Sequence, residues 1–247
     1  VCKVSHPNIL VAGCGTGQHP ISTAARFKNS QVIAVDLSLS SLAYAQRKTE
    51  ELGIKNIEYI LADILNLKKL DKQFDIIESV GVLHHMSDPM AGWKALVDCL
   101  KDGGLMKIGL YSELARKQIV EIRNEISQLG IGSSNAEMRS FRQALIKPER
   151  DYFKEIRYSS NFYSLSELRD LLFHIQEHRF DILQINECLD KLGLKFCGFN
   201  KKAAVQKFKQ SNNEPKDLYN LYKWQRFEES NPDTFAGMYQ FWCQKIA

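Results

Sequence analysis

Gly13-Cys14-Gly15-Thr16-Gly17 follows the apolar run Ile9-Leu10-Val11-Ala12, and Asp36 ends the next apolar run, Val32-Ile33-Ala34-Val35. Glycines at the end of a strand let the backbone approach a ligand where any Cβ would collide. A carboxylate at the end of the neighbouring strand can accept hydrogen bonds from both hydroxyls of a ribose. The pair is how a nucleotide-type cofactor is held at the carboxyl edge of a parallel sheet. Asp63 closes a third apolar stretch. His84 and His85 follow a fourth, and a neutral imidazole there can take a proton from a hydroxyl or amine. Further on, His174, Glu177 and His178 spell H-x-x-E-H, nominally an inverted zinc-protease pattern. No third ligand is identifiable, so we expect no metal. Both histidines read instead as contacts of the sheet or of an acceptor pocket.

A repeating pattern positions these residues. Strands at 8–12, 31–36, 57–61, 74–80 and 105–110 alternate with helices at 18–28, 41–52 and 88–100. Pro20 is tolerated in a first helical turn, Gly53 is a left-handed cap, and Asp88 caps a helix that opens on Pro89. Gly103-Gly104 turns the chain into the fifth strand. This β-α-β repetition predicts a parallel sheet with helices on both faces. From residue 112 the pattern changes. Ala115, Ile119, Ile122, Ile126 and Leu129 mark an amphipathic helix, residues 130–135 a loop, and 136–163 carry scattered aromatics. A capping box at Ser164-Leu165-Ser166-Glu167 predicts a helix to about residue 179. The α/β signal returns as a helix at 185–192 and a strand at 194–199, and the chain ends in an aromatic-rich strand at 235–244. We therefore expect a cofactor-binding core at 1–111, a helical insertion acting as a substrate lid at 112–181, core again at 182–199, a small helical insertion at 200–234, and a last strand at 235–247.

The bulk composition suits that reading. The 247 residues are 44% hydrophobic and 25% charged, enough for one elaborated α/β domain. A net charge of +4 is too mild for a nucleic-acid binder, and the lysines at 201, 202, 207 and 209 read as a solvated helix face. The six cysteines form no C-x-x-C pair, which points to a reducing, cytoplasmic setting. No apolar run has the length of a membrane span, and there is no signal peptide. The first residue is Val1, close ahead of the first strand, so we expect a processed chain or a piece of a longer polypeptide.

The glycine spacing then separates two cofactors. A dinucleotide fold has G-x-G-x-x-G, whereas this turn is G-x-G-x-G with Gln18 in the last place, and no P-loop lysine follows. Here the chain resembles the class I S-adenosylmethionine-dependent methyltransferases. The resemblance is carried by Gly13–Gly17, Asp36, Leu61-Ala62-Asp63-Ile64, Phe74-Asp75-Ile76-Ile77, Val82-Leu83-His84-His85-Met86 with Asp88-Pro89, and Leu100-Lys101-Asp102-Gly103-Gly104-Leu105, in that family's order. It covers roughly residues 8–111, with a weaker match in the last two strands. Residues 168–180 and Asn231-Pro232-Asp233-Thr234-Phe235 are also similar to bacterial methyltransferase modules fused to tetratricopeptide repeats.

The resemblance implies a three-layer α/β/α sandwich. Its seven-stranded, Rossmann-like sheet is mostly parallel, with the last strand antiparallel. It implies S-adenosylmethionine as cofactor and S-adenosylhomocysteine as product. Ala12, Gly13, Cys14, Gly15 and Gly17 would line the methionine and ribose, Asp36 would take the ribose hydroxyls, and Leu37 would pack on the adenine. Asp63 would accept from the adenine amino group, with Ile64 against the ring, and Val80 and Gly81 would border the transferable methyl. Val11 stands where many members have a carboxylate, which leaves the ammonium to backbone carbonyls or to Gln18 or His19. His84 and His85 are candidates for a general base, although transfer from a sulfonium needs orientation more than a base. Tyr111, Tyr163, His174 and His178 are candidates for the acceptor pocket. Without D-P-P-Y or N-P-P-Y, or a glutamate pair after the fourth strand, a small-molecule acceptor is the first expectation. A protein side chain as acceptor and a non-catalytic S-adenosylmethionine-binding scaffold remain open.

Overall fold

The computed structural model describes residues 4–147, 154–157, 162–173, 177–212 and 214–246. Strands β1 (Asn8–Ala12), β2 (Gln31–Asp36), β3 (Ile57–Leu61) and β4 (Phe74–Val80) begin and end where the apolar runs do. Helices α1 (Gln18–Arg26) and α2 (Leu39–Glu51) follow β1 and β2, and α3 (Pro89–Asp98) precedes β5 (Leu100–Leu110). Local chemistry sets their starts. Ser38 and Asp88 accept the N–H groups of Ser41 and Ala91, satisfying donors that have no partner within the helix.

Among the described residues the sheet has seven strands in the order β3-β2-β1-β4-β5-β7-β6. β6 is Leu194–Phe199 and β7 is Tyr239–Lys245. β1 to β5 are parallel, while β7 runs antiparallel between β5 and β6. The order reverses between β1 and β4, which opens a crevice at the carboxyl ends of those two strands. One face packs Ile9, Val11, Val32 and Ala34 with Ala24 and Leu42 from α1 and α2. The other carries the main core, from Leu10 and Ile33 through Trp93 to Phe199, Trp224 and Phe241.

After β5 come α4 (Lys117–Gln128), α5 (Asn135–Ile146), α6 (Lys154–Arg157) and α7 (Leu165–Leu168), followed by a π turn over Arg169–Phe173. They bury a cluster of their own, with Ile122, Ile126, Met138, Phe141, Leu145, Phe162 and Leu172 inside it. The chain rejoins the sheet through α8 (Ile182–Lys191). α9 (Lys202–Ser211) and α10 (Leu221–Ser230) lie between β6 and β7. α9 buries Ala204 and Phe208 and turns its lysines outward, and Phe208 stacks on Trp224 at 3.8 Å.

Four sequence expectations are corrected. Gly103-Gly104 lies inside β5 rather than before it, because β5 starts at Leu100 opposite Phe74 and passes through a register shift before Leu105 meets Ile76. Phe235 belongs to a 3-10 turn, Pro232–Phe235, and is buried among Phe199, Trp224 and Tyr239, so the last strand starts four residues later. The 130–135 loop ends one residue early, since Ser134 and Glu137 form a capping box that starts α5. The helix expected to reach residue 179 gives way to the π turn, and residues 177–180 are not helical. Phe180 instead bridges to Ser112 beside the end of β5. Tyr152, Phe153, Tyr158 and Ile175 lie outside the described residues.

Candidate functional site

The turn after β1 is folded across the end of β2. The N–H groups of Gly13 and Cys14 both donate to the Val35 carbonyl at 2.9 Å, and that of Gly17 donates to the Cys14 carbonyl at 3.1 Å. This brings Gly15 to Asp36, whose Oδ2 accepts the Gly15 N–H at 2.8 Å while Oδ1 accepts the Ser38 N–H at 2.9 Å. The carboxylate is thus oriented by backbone, and each oxygen retains a lone pair for a further donor.

The three glycines answer different demands. A Cβ on Gly13 would stand 2.2 Å from the Val82 side chain, and one on Gly17 would stand 2.7 Å from the Cβ of Ala45 on α2. Those positions are glycine because the protein packs there. A Cβ on Gly15 would meet nothing within 4 Å, so Gly15 faces open space beside Asp36. Gly17 thus packs the turn against α2 and the Tyr59 hydroxyl of β3 rather than against β1. Leu37 is 73% exposed next to Asp36. Asp63 caps the 3-10 turn Ile64–Leu70 by accepting the Leu65 N–H at 2.9 Å, and Ile64 is turned into the core. Ala12 is buried in the core and Gln18 is exposed at the start of α1.

Cys14 is not a nucleophile. Burial, reinforced by Asp36, pushes its thiol up to about 12, so it stays protonated at neutral pH. His19 is held below the usual imidazole range by burial first and by Lys107 second, with Glu78 opposing. It therefore stays uncharged at neutral pH, and its ring can accept a proton-bearing donor.

Glu78 is a site-adjacent residue that the sequence reading left aside. It stands in register with Val11 on the neighbouring strand, is only 3% exposed, and accepts Thr23 Oγ1 at 2.7 Å and Arg26 Nη2 at 3.2 Å. A carboxylate therefore sits beside the strand-one position where one was missing. The signal for it was a lone glutamate inside the apolar run of β4. Asp75, by contrast, is an edge group that accepts the Asn8 N–H and the Lys101 ammonium, each at 2.8 Å.

At the far side of the crevice, Gly81 donates to the Gly109 carbonyl at 3.2 Å, which places Val80 and Gly81 beside Tyr111 at the ends of β4 and β5. His84 is fully buried in the short 3-10 turn Leu83–His85, stacked on Tyr111 at 3.7 Å and edge-on to His85 at 4.4 Å. The His178 N–H donates to the His84 carbonyl at 2.7 Å, and the Phe180 N–H to the Tyr111 carbonyl at 2.9 Å. The returning segment is thereby strapped over this end, and His178 Nε2 is buried there with no hydrogen-bond partner among the described residues. Tyr163 is not brought to this cluster: it is 63% exposed and its ring contacts Phe162. His174 lies outside the described residues. Glu177, the middle member of the nominal zinc pattern, is instead ion-paired to Arg116 and Arg123. No group of three His, Cys, Asp or Glu side chains among the described residues could hold a metal.

Residues 9–104 match a family model described as a methyltransferase domain. An uncharacterized protein of Synechococcus sp. is 29% identical over 241 residues, covering 91% of this chain and 57% of that protein. Malonyl-[acyl-carrier protein] O-methyltransferase 1 of Ilyobacter polytropus is 27% identical over 180 residues, covering 73% of this chain and 55% of that enzyme. The chain thus spans little more than half the length of these relatives. The fold is similar to that of PKMT2 from Rickettsia typhi, with a TM-score of 0.73 at 19% identity over 97% of this chain and 49% of that one. The same protein in complex with AdoHcy gives 0.68. Over residues 9–104 the chain is thus similar to methyltransferase domains, and its fold is similar to that of a protein solved with AdoHcy, the demethylated form of S-adenosylmethionine. The residues present suit that cofactor: Gly15 opens beside an oriented carboxylate, and an exposed leucine adjoins both.

Proposed function

We propose that this chain transfers the methyl group of S-adenosylmethionine to a small-molecule acceptor. When bound, the cofactor supplies an already activated sulfonium methyl. Asp36 accepts the ribose hydroxyls, Gly15 gives the backbone clearance, and Asp63 and Leu37 receive the adenine. His19, uncharged, and nearby carbonyls take the ammonium. Val80 and Gly81 border the methyl, and Tyr111, His84, His85 and His178 flank the acceptor. The described helices that follow β5, with the strap at 177–180, cover that end of the crevice, excluding water and selecting the acceptor. In-line displacement needs the acceptor held close and aligned, so orientation by this wall supplies most of the rate. Where the acceptor must lose a proton, His85 or His178 can receive it.

The observation that carries this reading is the oriented Asp36 carboxylate beside the open face of Gly15. The small-molecule acceptor is supported by the strapped end of the crevice, and a relative named for malonyl-[acyl-carrier protein] offers the precedent of a small acyl acceptor, there borne on a carrier protein. Its test is transfer of label from methyl-labelled cofactor to a panel of amines, phenols and carboxylic acids. Labelled low-molecular-weight product is expected. Label found only in added protein would overturn the small-molecule assignment.

A further inference from the structure

A column of side chains from distant parts of the chain meets at Tyr111. The Arg116 guanidinium carbon lies 3.6 Å from the Tyr111 ring centroid, and the His84 ring lies 3.7 Å from the same centroid, tilted by 30°. Two groups so close to one centroid must occupy opposite faces, so Tyr111 is clamped between a guanidinium and an imidazole. His85 extends the column, edge-on to His84. The guanidinium is itself locked: its Nε and Nη2 donate to Glu177 Oε1 and Oε2 at 2.9 and 2.8 Å. Arg123 reaches Glu177 Oε2 at 2.9 Å and also donates to the Leu171 carbonyl at 2.8 Å. The Glu177 side chain is 1% exposed and that of Arg116 4%. A buried pair of this kind is costly to desolvate and gains little stability over apolar residues, but its paired, planar bonds fix orientation well.

We propose that Glu177 is a positioning residue for the acceptor wall. Through Arg116 it fixes the plane of Tyr111, and through Tyr111 it fixes the imidazoles of His84 and His85. The proposal rests on the reading above that this end of the crevice receives the acceptor. A competing route runs through backbone, because the strap that carries Glu177 also bonds to the carbonyls of His84 and Tyr111. The two routes separate experimentally: only the side-chain route requires the Tyr111 ring.

The test combines histidine-labelled NMR with calorimetry using S-adenosylhomocysteine. Glu177→Gln keeps the shape but replaces one acceptor oxygen with a donor, which breaks one of the paired bonds to Arg116. The His84 ring signals should lose the upfield displacement imposed by the Tyr111 face, and those of His85 should move with them, while His6 and His19 stay in place. Affinity for S-adenosylhomocysteine should remain within about twofold. In a Tyr111→Leu background, the same Glu177→Gln change should displace nothing further. Should Glu177→Gln fail to fold, Arg116→Lys carries the same measurements, since it keeps the charge and loses the planar fork. Unmoved His84 and His85 signals in a folded variant would overturn the proposal. So would a displacement that persists in the Tyr111→Leu background. Failure of the unaltered chain to bind S-adenosylhomocysteine would count against the proposed function instead, because the histidine measurement does not depend on it.

Discussion

Asp36 receives two backbone N–H groups, so its oxygens are held in one orientation before any ligand arrives. That preorganisation is why one carboxylate at one strand end carries so much of the reading. Cys14, one residue from Gly15, offers a contrasting prediction. Its thiol is buried and raised to about 12, so it should resist iodoacetamide in the folded protein near pH 8, while the half-buried Cys197 reacts faster. Mass spectrometry of the alkylated chain checks this, and rapid labelling of Cys14 would contradict the packed turn. Asp36, Asp63 and the glycines were legible in the sequence because each sits where an apolar run stops. Glu78 and Arg116 were not, because their roles come from strand register and from a partner far along the chain.

Elements explain why the glycine turn must be what it is. Gly17 has φ +91°, and a Cβ there would collide with Ala45 of α2. Gly17→Ala should therefore cost about 2–4 kcal/mol of folding stability, from overpacking and backbone strain together. Gly15, at φ +51° in open space, should tolerate Ala at about 1 kcal/mol in stability while losing cofactor affinity. Urea unfolding of both variants, beside cofactor titration, checks the contrast; equal stability losses would contradict it. At this scale β1 to β4 were readable because apolar runs, caps and turn residues agree with one another. The segment 177–180 was not. Its local pattern continues the helical stripe, but its N–H groups are claimed by the carbonyls of His84 and Tyr111, and Phe180 by Ser112. Tertiary pairing overrode local propensity there.

In the whole molecule, the later helices are tied to the sheet through a buried carboxylate. Glu228 on α10 accepts Ser112 Oγ at 2.8 Å from the end of β5 and Tyr239 OH at 2.6 Å from the start of β7. Burial raises its carboxyl above the ordinary 4.5, with those two bonds opposing. Between that value and the higher folded one, the folded chain holds a proton that the unfolded chain has released. The stability contributed by the neutral carboxyl is thus present below the ordinary value and lost as pH rises through the folded one. Glu228→Gln lacks this titration, so it should gain on the unaltered chain between about pH 5 and pH 8. Urea unfolding at both values reads the difference, and a gap that does not change with pH would contradict it.

The molecule as a whole brings the oriented carboxylate, the open glycine and the strapped Tyr111–His84 cluster to one edge of one sheet. Calorimetric titration with S-adenosylmethionine tests that account most directly. The account predicts binding in the micromolar range, weakened more than about tenfold by Asp36→Ala, a loss of at least ~1.4 kcal/mol. No heat with S-adenosylmethionine or S-adenosylhomocysteine, together with binding of a nicotinamide dinucleotide, would contradict it.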